Sequence, residues 1–91
     1  MTPPTYRVVW TRSAKRDLAR LPEKVATAVI EFAYGSLAEN PRRVGHELQL
    51  ELAGQHSARR GEYQVIYRID ETEHRIAIIA VDHRRDIYRR G

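Results

Sequence analysis

A chain of 91 residues, 42% apolar and 31% charged, is expected to form one domain over 1–91 with a single modest core, since a chain of this size buries roughly 60–65% of its unfolded surface. That balance excludes a disordered chain, and no apolar run approaches the ~20 residues of a membrane span. There is no cysteine, which excludes disulfides and thiolate zinc sites, and the net charge is +4.

Tyr6–Trp10 is short, β-branched and aromatic, and reads as the first strand after a loose Pro3-Pro4 tail. Thr11 offers an N-cap hydroxyl, and Ala14, Leu18 and Leu21 follow on one face of a helix, with Lys15, Arg16 and Asp17 mostly off that stripe. Pro22 stops this helix and suits the first turn of the next, which carries Val25, Ala28, Val29, Phe32 and Ala33 on one stripe. Gly35 ends or loosens this helix, Leu37 keeps its register, and Asn40-Pro41 closes it. Residues 42–54 are expected to be a loop leading into a short extended or turn-like piece, with Val44, Leu48, Leu50 and Leu52 partly alternating.

Strand two is expected over His56–Arg60 and strand three over Glu62–Ile69, with Val65, Tyr67 and Ile69 on one face and Gln64, Ile66 and Arg68 on the other. Asp70–Glu73 is the turn, and strand four, Arg75–Val81, is apolar on both faces and therefore central. The order β-α-α-β-β-β implies a small α+β domain whose helix hairpin covers one face of a sheet.

Fourteen of the sixteen cations are arginine, and they pair at 42–43, 59–60, 84–85 and 89–90. A GC-rich genome explains an arginine bias. So does phosphate recognition, for which guanidinium forks are suited. Composition leaves both open, whereas position favours a polyanionic partner. If strands three and four pair as a hairpin, Arg59 and Arg60 arrive at the same end as His83, Arg84 and Arg85, with Tyr88 close by in sequence. Guanidiniums, an imidazole and a phenol on one edge form a place for a phosphodiester. Arg59 and Arg60 point to opposite faces of an extended run, so at most one lines such a site directly. His46, His56 and His74 do not fall at metal-ligand spacing, and no metal site is read. Arg12, Lys15, Arg16 and Arg20 form a basic helix face, read as solvated.

Four stretches together resemble the RelE/ParE superfamily of bacterial toxins, over Tyr6 to Arg90. They are Thr11-x-x-Ala14-x-Arg16-Asp17-Leu18-x-x-Leu21-Pro22, Leu52-x-Gly54, Ser57-Ala-Arg59-Arg60-Gly61-x-Tyr63-x-Val65-x-Tyr67-x-Ile69 and Val81-Asp82-His83-Arg84-x-Asp86-Ile87-Tyr88. The RelE branch fits better than ParE. The resemblance implies a mostly antiparallel four-stranded sheet with two N-terminal helices packed on it. It also implies the toxin of a type II toxin–antitoxin module, an endoribonuclease that cuts mRNA in the ribosomal A site without a metal or cofactor. The expected partners are a cognate antitoxin, the ribosome and mRNA, with operator DNA only through the antitoxin and no membrane. The expected location is cytoplasmic, as the absence of a charged-then-apolar leader also favours.

Metal-independent cleavage needs the 2′ proton removed, phosphoryl charge neutralised and the leaving oxygen protonated. On the resemblance, His83 transfers protons, Arg84 and Arg59 stabilise charge, and Tyr88 contacts the substrate, which makes these four the catalytic set. Arg60, Gln64 and Arg85 bind RNA phosphate, and Asp86 orients an arginine. Many relatives carry arginine where Gln64 stands, and glutamine can hydrogen-bond a phosphate but not neutralise it. Two other readings stand beside this one: a gyrase poison of the ParE kind, and a catalytically weak co-repressor that binds only its antitoxin.

Overall fold

β1 (Arg7–Trp10) passes directly into α1 (Arg12–Arg20) through Thr11. The hydroxyl oxygen of Thr11 accepts the Ala14 amide at 3.1 Å, while the hydroxyl donates to the Ile79 carbonyl at 3.2 Å. The expected cap therefore also fastens the helix to the sheet. The structure, a computed structural model, describes residues 5–49 and 53–83. Ala14 is buried on α1, and Leu18 and Leu21 pack against the core as the stripe required. Asp17, placed off that stripe by the sequence, is buried as well.

α2 (Glu23–Phe32) starts after Pro22 and runs into a π-helical turn, Ala33–Leu37. Gly35 leaves helical geometry there, at φ −98° and ψ −105°. Gly35 thus loosens the helix and does not end it, and Ala33, Leu37 and Ala38 remain buried beyond it. Two short elements appear inside the region read as a loop. α3 (Pro41–Val44) is a single turn with proline in its first position, and β2 (His46–Glu47) is a two-residue strand. Neither is long enough to show a period.

β3 (His56–Arg60), β4 (Tyr63–Asp70) and β5 (Arg75–His83) complete the chain order. β3 has the expected bounds, and β5 runs two residues past the expected Val81. The sheet has five strands in the order β1-β5-β4-β3-β2, not the four expected, because β2 pairs with β3 through His46↔Ser57 and Glu47↔His56. β1 lies parallel to β5 and the other pairs are antiparallel, so β5 is internal, as its apolar faces required. Gly61, at φ 62°, supplies the left-handed residue of the two-residue turn between β3 and β4.

Ladder partners share a face. Ala14, Val29 and Leu37 of the helical layer meet Ala58, Val65, Tyr67, Ile76, Ile78 and Val81 of one sheet face. Along β5 these positions change parity, from 76 and 78 to 81. The cause is a β-bulge: Tyr67 faces Ile78 and Ile66 faces Ala80, leaving Ile79 as the extra residue. Tyr67 is fully buried and its hydroxyl donates to the Pro41 carbonyl at 2.6 Å, which ties α3 to the sheet. No described helix is long and apolar enough to cross a membrane.

Candidate functional site

The β3–β4 turn and the C-terminal end of β5 lie at the same end of the sheet. Arg60 pairs with Tyr63, and Tyr63 pairs with His83, so these three form one cross-strand row. The next row, on the opposite face, is Arg59, Gln64 and Asp82. Directly opposed residues have Cβ atoms about 4.5–5.5 Å apart, so each row is a set of near neighbours. The juxtaposition expected from the sequence, arginine pair beside His83, is thus present. The alternation of Arg59 and Arg60 between faces is present too.

The two rows differ in chemistry. In the first, the Tyr63 ring meets the His83 imidazole edge-on, with centroids 5.4 Å apart and planes at 85°. The His83 Nε2 lies 3.9 Å from a carboxylate oxygen of exposed Glu62, the turn residue. At that exposure the pair contributes little to stability, but it gives a protonated imidazole a counter-charge. In the second row, the Gln64 side-chain amide donates a short hydrogen bond to the hydroxyl of buried Ser57, which fixes its orientation on the sheet surface. Arg59 and Arg60 are exposed and make no ion pair among the described residues. Arg60, not Arg59, shares the face of His83, and Gln64 accompanies Arg59 on the other. Arg84, Arg85, Asp86 and Tyr88 lie outside the described residues.

Beneath the first row, the end of β5 is held from the side by α1. Thr11 N–H donates to the Ile78 carbonyl at 3.0 Å. The Asp17 carboxylate accepts the Val81 amide at 2.9 Å and faces Arg20 at 4.0 Å. Sequence reasoning missed Asp17, although its place three residues after Ala14 and one before Leu18 put it on the buried helix face. It also missed Glu62 and Tyr63 as neighbours of His83, because these follow from register alone.

The other histidines are engaged elsewhere. His56 is buried, stacks on Tyr67 with centroids 5.5 Å apart, and its Nδ1 has no hydrogen-bond partner among the described residues. Burial holds its pKa below the ordinary histidine value. His74 stacks on Tyr6 at 3.8 Å, at the far end of the sheet. There the Tyr6 hydroxyl donates to Glu71 at 2.5 Å and Arg42 donates to the same carboxylate at 3.0 Å. These two hydrogen bonds, Tyr6 first, hold Glu71 below the usual carboxylate range, and the bond to Glu71 raises the Tyr6 phenol. Among the described residues no three histidine, aspartate or glutamate side chains gather as a metal site would require.

Comparison with known proteins gives a consistent result. Residues 8–88 match the family described as the ParE toxin of the type II toxin–antitoxin system, parDE. The chain is 53% identical over 85 residues to Toxin RelG of Mycobacterium tuberculosis, covering 93% of this chain and 98% of that protein. It is 51% identical over 84 residues to Toxin RelE of the same organism, covering 92% of this chain and 87% of that one. Among solved structures, the toxin–antitoxin complex RelBE2 of M. tuberculosis contains a similar chain, with TM-score 0.87 and 49% identity over 89% of this chain and all of that one. The intact RelBE complex of Escherichia coli shares the fold, at TM-score 0.68 and 14% identity over 86% of this chain and 95% of that one.

Proposed function

The chain belongs to the ParE toxin family of type II toxin–antitoxin systems, and from that premise we propose that this toxin is an mRNA interferase that cuts translated messages at the ribosome. The observation that carries the reading is the row Arg60–Tyr63–His83, which sets an imidazole beside an exposed guanidinium at the open end of three adjacent strands. The names of the relatives above 50% identity, RelG and RelE, support the same branch.

In the proposed reaction the ribose 2′-hydroxyl attacks the adjacent phosphorus. The 2′-oxygen–phosphorus bond forms, the bond to the 5′-oxygen breaks, and a cyclic phosphate and a 5′-hydroxyl result. The His83 imidazole takes or delivers the proton, because an imidazole can act as acid or base near neutral pH. Arg60 and Arg84 neutralise the equatorial oxygens of the pentacoordinate phosphorus. Arg59, Gln64 and Arg85 hold flanking phosphates from the other face and the tail, and Tyr88 orients or stacks on the substrate. Gln64 supplies a hydrogen bond without charge, so the arginines supply the positive charge.

The proposed partners are the ribosome with its mRNA and a cognate antitoxin whose acidic or amphipathic segment covers the arginines. Structural relatives captured with their antitoxins support the latter. Operator DNA is reached only through that antitoxin, and the site of action is the cytoplasm.

Primer extension on mRNA after induction tests the reading. Cuts within translated codons, lost in His83→Gln and Arg84→Ala, are expected. Intact mRNA with broken chromosomal DNA refutes it in favour of gyrase poisoning, the activity that the resemblance attaches to ParE toxins. Absence of growth arrest refutes it in favour of an antitoxin-binding co-repressor.

A further inference from the structure

β5 outruns its neighbour. β1 ends at Trp10, opposite Ile78, whereas β5 continues to His83. Past Ile78 the side of β5 facing away from β4 has no strand beside it among the described residues, and a buried amide there needs an acceptor. α1 supplies what the sheet lacks. Its cap residue binds the Ile78 and Ile79 carbonyls, and its buried Asp17, 5% exposed, accepts the Val81 amide at 2.9 Å. Val81 is two residues from His83 and on the same face, so what fixes the Val81 backbone fixes the point from which the imidazole leaves the sheet. A carboxylate accepting an amide forms a charge-assisted bond, stronger than the neutral ladder bond it replaces.

We infer that Asp17 is a positioning residue for His83: its carboxylate stands in for the strand that β5 lacks and sets the height and direction of the imidazole over the RNA. The inference rests on the nuclease reading of His83 and adds to it a residue from the opposite end of the sequence.

The test compares the full chain with Asp17→Ala, Asp17→Asn and Tyr67→Phe. The readouts are amide hydrogen exchange at Val81, the 1H–15N signals of the His83 ring, and single-turnover cleavage of ribosome-bound mRNA as a function of toxin concentration. In Asp17→Ala, Val81 exchange accelerates about ten- to hundredfold, the scale of one lost charge-assisted bond. The ring signals move, and the maximal rate falls about tenfold or more with half-saturation unchanged. Asparagine offers a carbonyl to the same amide, so Asp17→Asn keeps Val81 protected and cleaves within about threefold of the parent. Tyr67→Phe loses stability through its tie to Pro41 yet keeps the parent rate, which separates positioning from a general loss of folding.

A parent-like rate in Asp17→Ala, unmoved ring signals, or an equal loss in both Asp17 variants with Val81 still protected overturns the inference. If Asp17→Ala does not fold, Asp17→Asn decides alone: protection with near-parent cleavage supports it, and protection with a tenfold loss overturns it. If the parent itself leaves mRNA intact, the nuclease reading fails, and the exchange and ring signals still decide whether Asp17 places His83.

Discussion

Removing one oxygen from the core, Tyr67→Phe, measures how firmly the edge of the sheet is anchored. The Tyr67 side chain is fully buried and its hydroxyl donates to the Pro41 carbonyl at 2.6 Å, the tie between β4 and the α3–β2 segment that flanks β3. Phenylalanine leaves that carbonyl without its donor, at a cost of about 1–3 kcal/mol. At 4–8 °C per kcal/mol for a domain of this size, Tm falls by roughly 4–24 °C. Urea unfolding followed by circular dichroism at pH 7 gives the free energy, with the slope m unchanged. A second signature comes from linkage. Burial pushes the Tyr67 phenol up to about 12 from 10.0. Its folded pKa is raised, so its contribution is complete below pH 10 and is lost as pH rises from there towards 12. The parent therefore loses stability over that window, and Tyr67→Phe lacks this component. Gly45→Ala probes the same contact from the other side, because its Cβ falls 2.6 Å from the Ser57 carbonyl oxygen and closer still to the Tyr67 hydroxyl. It costs about 1–3 kcal/mol alone and less in the Y67F background, since part of the clash is removed. If Tyr67→Phe stays within about 0.5 kcal/mol of the parent, with the same alkaline profile, the anchoring argument is wrong.

His56→Phe keeps the stack on Tyr67 and removes the orphaned Nδ1. Because the folded pKa of His56 is lowered, the parent loses stability as pH falls below the unfolded histidine value of about 6.5, and Tm from pH 7 to pH 5 drops less in the variant. Ile78→Ala, at a fully buried position, costs about 2–5 kcal/mol in urea unfolding, and a loss under 1 kcal/mol contradicts the core assignment. Thr11→Val costs about 1 kcal/mol by the same measurement, since the Ala14 amide loses its acceptor.

Much of this fold is legible in the chain because its signals are local. The apolar stripe of α1, the capping hydroxyl of Thr11 and the alternation of Val65, Tyr67 and Ile69 each follow from spacing within a few residues. β3 emerges with its bounds intact for the same reason. Elements set by distant partners are not legible. β2 exists because Ser57 and His56 offer it an edge, and two residues carry no period of their own. Asp17 is buried because β5 runs past β1, a fact about strand lengths that no helix pattern contains. The site divides in the same way. That Arg59, Arg60 and His83 reach one end follows from the hairpin, and that the two arginines diverge follows from strand alternation. Which arginine joins His83 depends on register across a bulge, and Gln64 with its Ser57 partner falls on the face that Arg59 takes.

Ile79 decides that allocation. A regular β5 running from Ile78 through this position would turn every later side chain over, so a carboxylate from residue 82 would stand beside Tyr63 and the imidazole would join Gln64. One backbone unit of slack, clamped by Thr11 at its carbonyl, selects which of two consecutive residues meets Arg60. Deleting the residue outright would leave a regular ladder in which Tyr63 still opposes His83, so toxicity kept in such a deletion would trace the site to its wiring and not to the bulge itself.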